Sequence, residues 1–374
     1  MKALVTATVP SMIGQFNMQN IEILQDLGYE VEVACNFNDY SVWSKEKIDS
    51  LKEKLKNMGI STIQIDFERS VGKVVHSLKA YYQMKKLLKE NKYTIIHTHT
   101  PISSFITRMA YRASIQNNQC RMIYTAHGFH FFKGNNKITN FLFKNLERYA
   151  AKFTDVLITI NLEDYIAAKC FKLKELGTVE YIPGIGIDLN YISQISGNRN
   201  ELLSNLKIGF DSILMLSVGE INKNKNHEIV IKALAELPLN YHFIICGVGN
   251  KEIELINLAK KLKVDGRIHL LGYRNDIIKI MKSCDIFIFP SFREGLSVAL
   301  MEALSCNLKV VASNIRGNCD LVKNDINGFL FNPKLKDDLI KAVIKINSLN
   351  DISNDMKKYS KEYIAELLKK IYSR

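Results

Sequence analysis

The chain has 374 residues and 47% hydrophobic content, more than one ordinary domain needs and comfortable for two. A formal net charge of +13 favours anionic partners, yet no basic stripe interleaved with stacking aromatics marks a nucleic-acid module. No apolar run is long enough for a transmembrane helix, and seven scattered cysteines suit reduced thiols in a cytoplasm better than a disulfide framework or a zinc site.

The opening residues are read as a first strand and not a signal peptide, because the apolar run is short and Pro10 and Gly14 follow. Residues 2–8 form that strand, 8–15 a loop with Gly14 near its end, and 16–27 a helix stopped by Gly28. A second strand covers 30–35. With one glycine, this is a weak phosphate-binding pattern beside a dinucleotide fingerprint. Strands then fall at 60–65, 93–98, 122–126 and 156–160, with helices at 71–90, 103–115, 137–152 and 162–171. Repeated strand–helix units imply a parallel sheet covered on both faces.

Pro183-Gly184-Ile185-Gly186 breaks the alternation, and 188–205 is polar and turn-rich, so the domain hinge is placed there. Strands resume at 213–218, 242–246, 268–271, 285–289 and 309–312. The expected architecture is two Rossmann-like domains, 1–185 and 186–351, facing across a cleft, with a final helix beginning near 352.

Several side chains fall where such sheets bind ligands. His97 and His99 point the same way along one strand and could form a metal pair, but no third ligand is evident and no metal is expected. His127 follows the next strand, with Gly128 to turn the chain and His130 three residues on. Glu68-Arg69-Ser70 precedes a basic amphipathic stretch over 76–92 with Lys79, Lys85, Lys86, Lys89 and Lys92. A solvated helix face is the plain reading; an anionic membrane surface or a lipid diphosphate is the functional one. Lys225, entering a helix after Gly219, can meet a diphosphate, and Gly247 and Gly249 allow close approach of a nucleotide.

The most informative stretch is 287–313, read as strand, loop, helix and strand. Glu294 stands in the loop and Glu302 eight residues on in the helix, with Ser297 as N-cap. The N–H groups of Gly295, Leu296 and Ser297 open that helix and favour an anion. Such glutamates also serve as caps or solvated surface charges.

Residues 291–313, S-F-R-E-G-L-S-V-A-L-M-E-A-L-S-C-N-L-K-V-V-A-S, resemble the signature of glycosyltransferase family 4, retaining transferases of GT-B fold. Glu294 and Glu302 occupy its two acidic positions. Asn307, Leu308 and Lys309 stand where Gly-x-Pro is usual. Ala126-His127-Gly128-Phe129-His130-Phe131 resembles the bacterial envelope-polysaccharide members. The resemblance implies that Glu302 holds the ribose and Glu294 the donor sugar. It implies that His127 steadies charge near the anomeric carbon and that Lys225 meets the diphosphate. Gly14, Gly219 and Arg274 become donor-side positions and His99 and His130 acceptor-side ones, while Arg69 is placed on the acceptor side by its basic stretch. Glu220 replaces the usual Arg, a gap that Lys223 could fill.

The resemblance further implies a final helix crossing back onto the first domain. The expected function is metal-independent, retaining transfer from a nucleotide sugar, a UDP-sugar, to a polyprenyl-diphosphate-linked saccharide for capsule or exopolysaccharide. The nucleotide sugar is a co-substrate and no cofactor is expected. The site of action is the cytoplasmic face of the plasma membrane, peripherally bound. A sugar-nucleotide epimerase and a non-enzymatic basic membrane-surface protein are the alternatives.

Overall fold

The computed structural model describes residues 1–69, 74–114, 120–349, 352 and 354–374. The chain divides into two compact units, Met1–Ile185 with Glu362–Arg374, and Gly186–Lys361.

The first unit is built on seven parallel strands: β1 (Lys2–Thr6), β2 (Glu30–Cys35), β3 (Ser61–Gln64), β4 (Ile95–His99), β5 (Arg121–Ala126), β6 (Val156–Thr159) and β7 (Thr178–Tyr181). Their order is β3-β2-β1-β4-β5-β6-β7. The second unit holds six: β8 (Ile213–Val218), β9 (Tyr241–Cys246), β10 (Ile268–Leu270), β11 (Ile286–Phe289), β12 (Lys309–Ser313) and β13 (Gly328–Phe331), in order β10-β9-β8-β11-β12-β13. Every named pairing is parallel. Strands such as Tyr241-His242-Phe243-Ile244-Ile245-Cys246 are buried throughout, as a sheet covered on both faces requires. In both sheets the sequence order reverses beside the first strand, between β1 and β4 and between β8 and β11. Parallel sheets bind ligands at the carboxyl ends of the strands flanking that reversal.

The structure departs from the sequence reading in several places. The expected glycine loop 8–15 is helical from Pro10: Pro10–Met12 is followed by a π-helical turn, Ile13–Asn17, and the helix Met18–Asp26. Helix Lys45–Asn57 went unread because its surface is lysine-rich. Ser44 caps it by accepting the Lys47 N–H, and Ile48, Leu51 and Leu55 form its buried stripe. The segment 188–205 contains two short helices, Leu189–Gln194 and Arg199–Leu206, capped by Asp188 and Asn198. The short strands β7 and β13 were also missed. The helices expected from 71 and to 115 are seen as Val74–Glu90 and Pro101–Ala113; Ser70, residues 71–73 and Ile115 lie outside the described residues.

The last helix, Lys361–Tyr372, begins nine residues later than expected. It places Ile364, Leu368, Ile371 and Tyr372 in the core of the first unit. Arg121 fixes it by donating to the Ile371 and Tyr372 carbonyls.

Candidate active site

In the second unit, three loops meet at the carboxyl edge of adjacent strands β8, β11 and β12. From β8 comes Lys225, whose Nζ lies 2.8 Å from Glu294 Oε1 in the β11 loop. The same ammonium stands 4.6 Å from the centre of the Phe289 ring. Gly219 makes room for this lysine, since a Cβ there would lie 3.0 Å from Lys225 Cε. Asn224 and Asn226 fasten the two loops together. Asn224 donates to the Arg293 carbonyl and accepts the Phe292 N–H through its own carbonyl; Asn226 donates to the Pro290 and Pro333 carbonyls.

The third loop was not foreseen. Arg316 Nε donates to the Glu294 carbonyl at 3.1 Å. Gly317 has φ +78°, and a Cβ on it would sit 1.7 Å from the Gly295 carbonyl oxygen. Only glycine permits that approach. The stretch 291–313 that carries the family resemblance ends three residues short of this Arg-Gly pair.

Ser297 caps helix Val298–Ser305 by accepting the Leu300 N–H, as expected. Leu296 is buried, so only its backbone can serve a ligand. The Glu302 carboxyl makes no hydrogen bond or ion pair among the described residues, and burial alone pushes it up to about 7. Asn307 adopts φ +56°, so it makes the left-handed turn where the family pattern has glycine.

Other expected donor positions are placed differently. Glu220 and Lys223 are exposed; Lys223 lines a separate hollow of about 790 Å³ with Asn226, His227 and Phe292. Arg274 is exposed and engages Asp276 bidentately at 2.8 and 2.7 Å, so two of its donors are committed within its own loop. Gly14 belongs to the π-helical turn of the first unit. A Cβ there would lie 2.4 Å from the Trp43 ring, which gives its missing side chain a packing reason.

In the first unit, β4 and β5 bring His97, His99 and His127 together. His97 is fully buried between the Tyr372 hydroxyl, 2.7 Å from Nδ1, and Thr125 Oγ1, 2.8 Å from Nε2; the hydroxyl also accepts from Asn20. His97 is therefore a structural residue. His99, expected toward an acceptor, is buried behind His127, with its Nδ1 3.1 Å from His127 Nε2. Desolvation pushes His97 down to about 3 and His127 to about 4, and holds His99 well below its ordinary value. All three are neutral at pH 7, so His127 offers a hydrogen bond and not a cation. Phe16, from the π-helical turn, has its ring centre 6.0 Å from that of His127.

Thr100, just past β4, was also missed. It is β-branched at φ +65°, a strained conformation that clusters at functional sites. Its Oγ1 is held by Thr8 across the β1/β4 reversal, by Ser103 and by the His99 carbonyl. His130 packs edge-on against Phe143 at an apolar groove. Arg69 lies past β3, three strands across from β4, where it donates to Ser41 Oγ; the structure does not bring it to the histidines.

Residues 198–363 match the family described as glycosyl transferases group 1, and 15–161 match the family described as glycosyl transferase 4-like. The UDP-Gal:alpha-D-GlcNAc-diphosphoundecaprenol alpha-1,3-galactosyltransferase of Escherichia coli is 30% identical over 348 residues, covering 90% of this chain and 84% of that protein. The chain belongs to glycosyltransferase family 4. Another relative of this transferase is the N,N'-diacetylbacillosaminyl-diphospho-undecaprenol alpha-1,3-N-acetylgalactosaminyltransferase of Campylobacter jejuni, 23% identical with 97% of this chain and 96% of that one covered. The GT-B fold is shared with Anabaena Alr3699/HepE solved with UDP and glucose, at TM-score 0.69 and 20% identity, covering 100% of this chain and 95% of that one. Among the described residues, no helix of the transferase is long and apolar enough to cross a membrane.

Proposed function

We propose that this transferase moves a sugar from a UDP-sugar, with retention and without a metal, to a saccharide carried on a polyprenyl diphosphate, for capsule or exopolysaccharide. Two named relatives act on diphospho-undecaprenol acceptors, which supports the acceptor class. The observation that carries the donor side is the Lys225–Glu294 pair at the strand-order reversal of the second unit, beside a Ser297-capped helix N-terminus.

Breaking a glycosidic bond to a diphosphate places charge on the leaving phosphate. Lys225 and the N–H groups opening helix Val298–Ser305 are positioned to stabilise it. Glu294 accepts donor-sugar hydroxyls, Glu302 accepts ribose hydroxyls, and Gly219 with Gly247 keeps the backbone close to the nucleotide. Neutral His127 hydrogen-bonds the transferred sugar. The acceptor hydroxyl attacks from the face that the phosphate leaves, and its proton passes to the departing diphosphate.

The reading also places the enzyme peripherally at the inner face of the plasma membrane, where such acceptors are held. The exposed lysines of helix Val74–Glu90, among them Lys79, Lys86 and Lys89, support attraction to an anionic surface. A thermal-shift panel of nucleotide sugars, followed by mass analysis of products on undecaprenyl-diphosphate saccharides, tests the whole. UDP-sugars should raise the melting temperature, and one should extend the acceptor by a single sugar. Release of free sugar or an epimerised donor without acceptor extension counts against it.

A further inference from the structure

The first unit has a second concavity that the transfer chemistry leaves unused. Helices Val74–Glu90, Pro101–Ala113 and Lys137–Ala151 enclose a groove of about 440 Å³, lined by Tyr81, Ile102, Phe105, Met109, Phe143 and Leu146. That volume is within the roughly 300–1,000 Å³ of ordinary ligand clefts. The lining is almost entirely carbon. At its foot, Glu147 is engaged by Arg108 at 2.7 Å and by the Tyr124 hydroxyl at 3.1 Å.

The surface beside the groove is unusual for a protein that meets only water. Leu78, Tyr82, Ile138, Phe141 and Leu142 are all more than half exposed. Lys85, Lys89, Lys144 and Arg148, on the same helices, form no ion pair among the described residues. Apolar surface bordered by unpaired cations complements a molecule that joins hydrocarbon to phosphate. The inner end of the groove lies at Pro101, Ile102 and His130. These residues follow the carboxyl ends of β4 and β5, next to His99 and His127.

We infer that this groove seats the first isoprene units of the acceptor's polyprenyl chain. The inference rests on the reading that the acceptor is a polyprenyl-diphosphate saccharide. A single branched chain fits a half-open groove between helices, whereas a bilayer is met by an outward helix face.

Met109→Trp fills the groove and Leu146→Gln makes it polar; both side chains are only half-buried, so folding is checked by melting temperature. The readout is the ratio of kcat/KM for a C55 acceptor to that for the same saccharide diphosphate on a ten-carbon chain. In variants that melt like the wild type, this ratio should fall at least tenfold. An unchanged ratio in both overturns the inference. Binding to phosphatidylglycerol vesicles without acceptor should be unaffected; if it falls in parallel, the groove holds bilayer lipid and the inference is wrong. Calorimetry with undecaprenyl diphosphate alone in detergent is independent of turnover. Wild type should bind it and the variants at least tenfold more weakly. If wild type binds it yet extends no lipid-linked saccharide, the proposed function fails and the groove stands. If wild type does not bind it, the groove assignment fails whatever the activity assays give.

Discussion

Lys225 Nζ and Glu294 Oε1 stand 2.8 Å apart, joining loops 69 residues distant in sequence. Both side chains are mostly buried, at 18% and 15% exposure, so neither charge is easily left alone. Under the proposed function a diphosphate would compete with Glu294 for the lysine and release the carboxylate to accept sugar hydroxyls. Lys225→Ala should lower kcat/KM at least a hundredfold, about 2.7 kcal/mol of transition-state stabilisation. Lys223→Ala should do less, since its side chain lines another hollow. Glu294→Ala should reduce both turnover and donor affinity, and the double variant should lose less than the sum of the singles. Steady-state kinetics on the four proteins decide this; a near-wild-type Lys225→Ala would move the diphosphate elsewhere.

With Glu302 on the ribose as proposed, donor binding should depend on pH. Its carboxyl titrates near 7 in the folded protein, above an ordinary value of 4.5. Between those values the folded chain holds a proton that the unfolded chain has lost. Its burial therefore costs stability increasingly as pH rises from about 4.5 to about 7, and by a constant amount above. A ribose hydroxyl donates best to the ionised form, so UDP affinity should rise with pH up to about 7 and then level off. Below 7, binding should release a proton, visible by calorimetry in buffers of different ionisation enthalpy. Glu302→Gln should flatten the profile and weaken binding by about 1.5–3 kcal/mol. A wild-type profile already flat from pH 5.5 to 8 would remove Glu302 from the ribose.

The histidine cluster makes the first unit acid-sensitive. Burial lowers the folded values of His97 and His99 below 6.5, so the unfolded chain takes up protons first as pH falls. Stability is complete above about 6.5 and lost below it, by about 2 kcal/mol at pH 5 for His97, with His99 acting in the same direction. Tyr372→Phe removes the hydroxyl shared by His97 and Asn20 and should cost about 1–3 kcal/mol in urea unfolding at pH 7. A neutral effect would mean that the hydroxyl network contributes packing alone.

Gly317→Ala tests the loop that supports Glu294. Its Cβ would meet the Gly295 carbonyl at 1.7 Å from a left-handed backbone, so one loop must shift. Donor affinity should drop at least tenfold while the overall fold survives, seen as normal circular dichroism with a weakened UDP thermal shift. Unchanged UDP binding would separate this loop from the donor site.

Chelation addresses the metal-free reading. Among the described residues, no group of three or more His, Cys, Asp or Glu could hold a metal ion, and His97 is occupied by Tyr372 and Thr125. Activity should persist in excess EDTA. Loss on chelation with recovery on Mg²⁺ or Mn²⁺ would require a different account of leaving-group stabilisation.

The helix at Val298–Ser305 and its Ser297 cap were legible because cap, spacing and flanking apolar strands all agreed locally. The Lys225–Glu294 contact was not, since spacing along the chain does not reveal which strands become neighbours. Glu220, read as a missing phosphate contact, could be weighed only once Lys225 was seen to turn toward Glu294. The π-helical turn at Ile13–Asn17 escaped because Gly14 signals a loop to any local rule, while its real constraint is the distant Trp43 ring. Likewise nothing in His-Thr-His distinguishes a ligand pair from His97 under a C-terminal tyrosine.

The ends of the second unit are tied to each other. Ile187 N–H donates to the Tyr359 carbonyl at 2.9 Å, and the Lys361 N–H returns to the Ile187 carbonyl at 2.9 Å. Residues 186–361 thus enter and leave through one stitched point, while the first unit is assembled from two stretches of chain. Such a segment is a natural unit of exchange. Recombination that swaps it between related enzymes would leave the contact between Tyr372 and His97 intact, so under the proposed function a lineage could change its sugar nucleotide without rebuilding the first unit. A chain cut at 185, by contrast, would strand His97 without its tyrosine, which makes the first unit the poorer candidate for expression on its own.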